Sequence, residues 1–145
     1  MKHSIIASAI VLTLASNAAV AACSPPGASR VTNTGGNAAL TNLLSGNTVC
    51  AVRGGDRWQE EHQAGGQLWD YKRGDGHPVD PRKQIGTWAV TGQGANTVVT
   101  YTYDGGPSYT FGVWDDQDGT YSFCEAGVLN VDNATVVSGV NVGCP

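Results

Sequence analysis

From Asn47 to Cys124 polar and apolar side chains alternate in short runs, and glycine-rich breaks separate the runs. Period-two alternation bounded by turn residues is the pattern of a half-buried strand. It predicts strands over Asn47–Arg53, Arg57–Gln63, Leu68–Arg73, Gln84–Val90, Val98–Tyr103, Tyr109–Trp114 and Tyr121–Cys124. The tail from Ala126 to Pro145 is rich in Val, Gly and Asn and predicts two further short strands around Asp132-Asn133. There is no room between strands for helical crossovers, so neighbours must run antiparallel. The expectation is an all-β, single-domain, antiparallel up-and-down meander. It should be barrel-like, because closure removes exposed edges. A strongly curled, incompletely closed sheet is the alternative.

Turn length decides which side chains share a face, because a one-residue slip inverts a strand. If Gly65-Gly66 is a two-residue turn, His62 pairs with Trp69, Glu60 with Tyr71 and Trp58 with Arg73. One face then carries Trp58, Glu60, His62, Trp69, Tyr71 and Arg73, and the other Gln59, Glu61, Gln63, Leu68, Asp70 and Lys72. A three-residue turn would scatter the aromatics, and the two-residue turn is the expectation. A three-residue loop at Gly105-Gly106-Pro107 pairs Tyr103 with Tyr109, Tyr101 with Phe111 and Val99 with Val113, leaving Thr102 opposite Thr110 on the other face. Gln117-Asp118-Gly119, read as a three-residue loop with a left-handed glycine, sets Val113 against Phe123 and Asp115 against Tyr121. Cys124 then lies on the opposite face.

Before Asn47 the pattern changes. Residues 1–22 have a basic start at Lys2-His3, an apolar run from Ile5 to Ala15 and small residues at Ala19-Val20-Ala21, the layout of a signal peptide. Cys23 to Gly36 reads as an extended arm, and Asn37–Leu44 as about two turns of helix or a loop feeding the first strand. The expected division is 1–22 signal peptide, 23–43 N-terminal arm and 44–145 barrel-like domain. Cys23, Cys50, Cys124 and Cys144 form an even set, which predicts two disulfides in an exported chain. Of three connectivities the expectation is Cys50–Cys124 with Cys23–Cys144. Val20-Ala21-Ala22-Cys23 also resembles a bacterial lipobox, which would make Cys23 a lipid anchor on an outer-membrane lipoprotein. The even cysteine set instead points to a periplasmic or extracellular protein with both bonds formed.

Charge narrows the partners. With Lys2 removed, seven basic residues stand against twelve acidic ones, which is not the footprint of a nucleic-acid binder or a polybasic membrane-surface protein. No stretch after the leader approaches the roughly 20 apolar residues of a transmembrane helix. There is no G-x-S-x-G elbow, no C-x-x-C and no phosphate-binding loop leading into a helix, and no motif asks for a cofactor.

Gly86-Thr87-Trp88 resembles the G-x-W signature of the lipocalin and avidin-like barrels, the calycins. The resemblance implies a lipocalin-like barrel with a cavity for a small apolar ligand. The chain from Leu44-Ser45-Gly46-Asn47-Thr48-Val49-Cys50 to Tyr121-Ser122-Phe123-Cys124 also resembles small exported bacterial proteins, a resemblance that brings no activity with it.

Chemistry-bearing residues gather on the first hairpin. Glu60 and His62 could act as general base and acid or hold a metal, with His77 the only other histidine after the leader. A salt-bridged pair at a barrel end, with Arg73, is the structural alternative. Three or four ligands are usual for zinc, and no metal site is expected. Glu60 or Glu61 with Asp70 could form a carboxylate pair of the glycosidase kind. Asp115-Asp116-Gln117-Asp118-Gly119 lacks the ligand spacing of a calcium loop and reads as a hairpin turn. The leading expectation is a non-enzymatic binding module for a small apolar or aromatic ligand, lined by Trp58, Trp69, Tyr71, Trp88 and Tyr101 and anchored by Glu60 and His62. An envelope structural or protein-interaction domain with a solid core is the second reading. A small hydrolase or metal-dependent enzyme using Glu60 and His62 is the third.

Overall fold

The computed structural model describes residues 23, 25–53, 55–72 and 82–145, with the backbone alone at Asp56, Trp58, Tyr71 and Lys72. The leader, Arg73, His77 and the proline-containing loop lie outside the described residues. The described elements are, first, three short strands, β1 Ser29–Arg30, β2 Asn33–Thr34 and β3 Asn37–Ala38, and the helix α1, Ala39–Leu44. Eight longer strands follow: β4 Asn47–Arg53, β5 Asp56–His62, β6 Gln67–Lys72, β7 Lys83–Thr91, β8 Val98–Tyr103, β9 Ser108–Asp115, β10 Tyr121–Glu125 and β11 Val128–Ser138. Each of the eight pairs antiparallel with its chain neighbour, and β11 returns to β4, closing the barrel. The up-and-down meander is as expected, and the sheet is closed. No helix among the described residues is long and apolar enough to cross a membrane.

The β5–β6 register corrects the expectation. Gln63 N donates to Gln67 O at 3.0 Å and Gly66 N to Gln63 O at 2.9 Å, so the turn has three residues, Ala64-Gly65-Gly66. Gly66 takes φ 85°, the left-handed position that closes such a loop without steric penalty. His62 therefore faces Leu68, Glu61 faces Trp69 and Glu60 faces Asp70. This register puts Leu68 into the core at full burial, where the expected one would have left it on the outer face.

Between β8 and β9 the loop has three residues as expected but lies one position earlier, at Asp104-Gly105-Gly106. Tyr101 faces Tyr109, Val99 faces Phe111 and Thr100 faces Thr110. A shift of two residues preserves the face, so the inward aromatic surface stands. The β9–β10 register is as expected, with Val113 opposite Phe123 and Asp115 opposite Tyr121. Its loop is a hydrogen-bonded turn: Asp115 Oδ1 accepts from Gln117 N, and Asp118 Oδ1 from Thr120 N and Oγ1.

The tail differs too. One bent strand, β11, replaces the two expected, with Asn133 at φ 51° at the bend; its first part pairs with β10 and its second with β4. That closure also decides the disulfides, which are Cys23–Cys124 and Cys50–Cys144, with Cα–Cα distances of 5.5 and 5.7 Å. Cys50 on β4 and Cys124 on β10 are separated by β11. Two inter-strand spacings, roughly 9–10 Å, exceed the reach of a disulfide. The Cys23 sulfur, which a lipid anchor would need, is bonded to Cys124.

The two ends of the barrel are built differently. The α1 end is tied shut: Leu40 and Leu44 are fully buried, and Asn33 Oδ1 accepts from Leu40 N and Thr41 N at 3.0 and 3.4 Å, capping a helix that has no cap of its own. Gly46 N also donates to His62 O at 2.7 Å. Leu68, Val99 and Val113 complete this packing. At the other end, where β4 meets β5 and β8 meets β9, no helix among the described residues forms such a lid.

Candidate functional site

Among the described residues, the inner faces of β4 to β11 converge on a cavity of about 630 Å³ at the end opposite α1. Strand alternation aims the aromatics into it. Tyr101 and Tyr103 come from β8, Tyr109 and Phe111 from β9 and Phe123 from β10, with Val49, Ile85 and Val131 between them. The rings form a connected series: Tyr101 to Phe111 at 5.9 Å, Phe111 to Phe123 at 6.2 Å, and Tyr109 to Tyr103 and Phe111 at 6.0 and 6.2 Å. Such offset and edge-on contacts hold a wall of rings rigid. Glu60, Asp70 and Asn130 supply polar lining inside, with Arg53, Lys83 and Asp104 also bordering the cavity.

Glu60 is 8% exposed, and its Oε1 accepts the Tyr103 hydroxyl at 2.6 Å. Burial pushes the Tyr103 phenol well above its ordinary range, and the neighbouring Glu60 and Asp70 charges add to the effect. The phenol therefore stays protonated and can only donate to Glu60.

His62 lies beneath the cavity and is completely buried. Its Nδ1 is 3.1 Å from the carbonyl oxygen of Glu60, which can only accept, so Nδ1 carries the proton. Nε2 then accepts the Tyr101 hydroxyl at 2.9 Å. Burial lowers its pKa to about 4, against the partial opposition of hydrogen bonds to the Glu60 and Asn47 backbone. The ring is neutral at pH 7. Both nitrogens are committed, so the expected Glu60–His62 carboxylate–imidazole pair does not form. His62 is a brace that orients Tyr101, not a base open to the cavity.

Trp88 packs edge-on against His62 at 5.2 Å, and its Nε1 donates to Gln63 O at 3.0 Å. It belongs to the closed end, below the ligand-sized space. Gly86, two residues earlier, is required by close backbone approach: a Cβ there would stand 2.1 Å from Thr102 O. The Gly86-Thr87-Trp88 pattern thus has a local packing reason in this barrel.

Trp69 is on the outer face, where the Arg82 guanidinium lies 4.5 Å from its ring centroid and also pairs with Glu61 at 2.7 Å. It does not line the cavity, as the three-residue turn requires. Trp58 sits opposite Ala51 and Lys72 in the sheet and Tyr71 opposite Gln59; their side chains are outside the described residues. Of the seven residues expected at the site, Glu60 and Tyr101 line the cavity, and His62 and Trp88 support it from below. Tyr103, Tyr109, Phe111, Phe123 and Asp70 were not among them. For the four aromatics the signal was the alternation along β8 to β10; for Asp70 it was its carboxylate pairing with Glu60.

No group of three or more His, Cys, Asp or Glu that could hold a metal occurs among the described residues. The chain matches no protein-family model, no curated protein and no solved structure.

Proposed function

We propose that the protein is an exported, non-enzymatic binding module that takes a small apolar or aromatic ligand into the cavity at the end of its barrel opposite α1. The observation that carries this reading is the cavity of about 630 Å³ walled by tyrosine and phenylalanine. Ligand pockets typically span about 300–1,000 Å³ and combine apolar walls with a few convergent polar groups. Glu60, Asp70 and Asn130 are those groups here. A domain whose role was purely structural would have no use for an unfilled interior, since empty space forfeits packing energy. The two disulfides favour an oxidising compartment. Resemblance of Gly86-Thr87-Trp88 to the calycin signature adds a fold-level expectation of an internal cavity, no more.

The test is a fluorescence titration with N-phenyl-1-naphthylamine, a neutral aromatic probe that brightens on leaving water. Saturable binding of one probe per chain is expected. Ile85→Trp, which adds bulk to the cavity wall, should weaken it by about tenfold or more. A wild-type protein that gives no saturable signal, or an Ile85→Trp variant that binds equally well, overturns the reading.

A further inference from the structure

The barrel is closed by a ladder unlike its others. Among the described strands every other neighbouring pair of the barrel is consecutive along the chain, whereas β4 and β11 are its first and last long strands. A hairpin that opens stays tethered by its turn, but a seam between strands so far apart in sequence is held only by the contacts across it. The ladder is also short, running from Cys50 opposite Thr135 to Asn47 opposite Ser138. Val49 on one side of the seam and Asn130 and Val131 on the other line the cavity.

Residues 139–145 form a strap that leaves β11 and crosses the seam on the outside of the barrel. Thr48 Oγ1 donates to Gly139 O at 2.7 Å, and Gly139 N donates to Asn47 Oδ1 at 3.1 Å. Further along, Gln59 on β5 donates from Nε2 to Val142 O at 3.2 Å and accepts from Cys144 N at 3.3 Å. The Cys50–Cys144 disulfide fixes the strap to β4. Thr48, Cys50 and Gln59 point outward and are nevertheless buried. Strand alternation sets Cys50 back to back with Val49 and Gln59 with Glu60, so the strap braces the rear of the cavity wall. The other disulfide holds no seam: Cys124 lies on β10, which is consecutive along the chain with both its barrel neighbours. Cys50 and Cys144 both line a second cavity, of about 360 Å³, and Cys144 is only half-buried, so a small thiol can reach the bond.

We propose that Cys50–Cys144 is a redox latch on the seam: its reduction by a dithiol frees the strap, lets β4 part from β11 and discharges the ligand. This inference rests on the binding-module reading above and adds its regulation. One thiolate of the dithiol attacks the Cys144 sulfur; the S–S bond breaks, and Cys50 leaves with the electron pair and takes up a proton. The second thiol of the reductant then displaces Cys144 from the mixed disulfide. The dithiol ends as a disulfide and the protein gains two thiols, an exchange of two electrons and two protons. The contacts of Asn47, Thr48 and Gln59 with the strap guide it back into register, so reoxidation recloses the latch.

The test is N-phenyl-1-naphthylamine binding to the wild-type protein across graded ratios of reduced to oxidised dithiothreitol, with iodoacetamide labelling and peptide mapping at each ratio. Bound-probe fluorescence should fall as Cys50 and Cys144 become labelled, with far-UV circular dichroism retained, and should return on reoxidation. In parallel, the double variant Cys50→Ser with Cys144→Ser should bind the probe about tenfold more weakly than wild type, and Cys23→Ser with Cys124→Ser should stay within about twofold. Should the first variant fail to fold, the wild-type redox series still decides. Probe binding that survives labelling of Cys50 and Cys144, that follows Cys23 and Cys124 instead, or that disappears only as the whole barrel unfolds overturns the latch. If the oxidised wild type itself gives no saturable signal, the binding reading fails, and the latch is then judged by hydrogen exchange. Backbone amides of the β4–β11 ladder should exchange about tenfold faster on reduction, with those of β8 and β9 unchanged. Equal exchange in the two redox states overturns it.

Discussion

One barrel carries two ends that follow the same alternation and come to opposite states. At the α1 end, Leu40, Leu44, Leu68, Val99 and Val113 are fully buried, and the imidazole of His62 is held between Tyr101 and Trp88. At the other end the inward positions hold larger aromatic rings together with Glu60 and Asp70, and the described residues leave a cavity of about 630 Å³. The difference is one of residue type rather than pattern. Branched aliphatics pack to the density of a solid when a helix supplies a lid. At the far end, rings in tilted, stacked and edge-on contact and the polar side chains of Glu60, Asp70 and Asn130 line the space instead. The packed end provides the rigidity that a preorganised cavity needs.

The sharpest way to break this comparison is to remove packing from each end in turn. Trp88→Ala should cost about 3–5 kcal/mol, because the ring is buried and its Nε1 satisfies the Gln63 carbonyl. Urea unfolding monitored by far-UV circular dichroism measures it. A loss under about 1 kcal/mol would mean that the closed end is no better packed than the cavity end.

His62 tests the closed end through pH. Its folded pKa is about 4 against an ordinary 6.5, so between those values the unfolded chain binds the proton more readily than the folded one. Stability should therefore be fully present above about pH 6.5, decline as pH falls towards 4, and level off below it. A shift of that size corresponds to about 3 kcal/mol in total. Other titrating groups are common to wild type and His62→Gln, so the difference between their pH profiles isolates this component. Parallel profiles would show that His62 is not held neutral.

These two ends were not equally legible in the sequence. Along β8, β9 and β10 the residues Val99, Tyr101, Tyr103, Tyr109, Phe111, Val113 and Phe123 are apolar at alternate positions on all three strands, so only one parity buries them together. A two-residue error of pairing left that parity intact. Along β5 and β6 no parity is self-evident, since Glu60 neighbours Glu61 and Trp69 neighbours Asp70. Either register leaves a carboxylate on both faces, and the preference for gathering the aromatics on one face favoured the register the structure does not adopt. The decision fell to turn chemistry, and Ala64-Gly65-Gly66 accommodates a three-residue loop as readily as Gly65-Gly66 does a two-residue one. The disulfides were harder still: both depend on where β10, β11 and β4 lie relative to one another, a closure between residues far apart in sequence. Asn33 as the cap of α1 gave no local signal either, because it lies seven residues before the amide it bonds.

That cap offers a smaller probe of the closed end. Asn33→Ala removes the acceptor for Leu40 N and Thr41 N and the donor to Thr41 Oγ1. A loss of about 1–2 kcal/mol is expected in the same unfolding assay. Binding of N-phenyl-1-naphthylamine should be unchanged, since the cavity is at the far end. A variant that keeps full stability would show that the lid is held by Leu40 and Leu44 alone.

The smallest stability effect should come from the cavity end, and it should be the one most strongly felt by a ligand. Tyr109 is 38% exposed, yet its ring contacts Tyr103 and Phe111 and lines the cavity. Truncation to alanine removes a ring already part-way into water, so the unfolding free energy should move by less than about 1 kcal/mol. The same truncation deletes one of the rings that wall the cavity. Affinity for N-phenyl-1-naphthylamine should fall by about fivefold to tenfold, a loss expected for one aromatic contact. The two ends would then be separable by experiment: Trp88→Ala changes stability far more than Tyr109→Ala, and Tyr109→Ala changes binding without unfolding the chain. Equal effects of Tyr109→Ala on stability and binding would mean that the cavity end is core after all, and that its volume has no occupant.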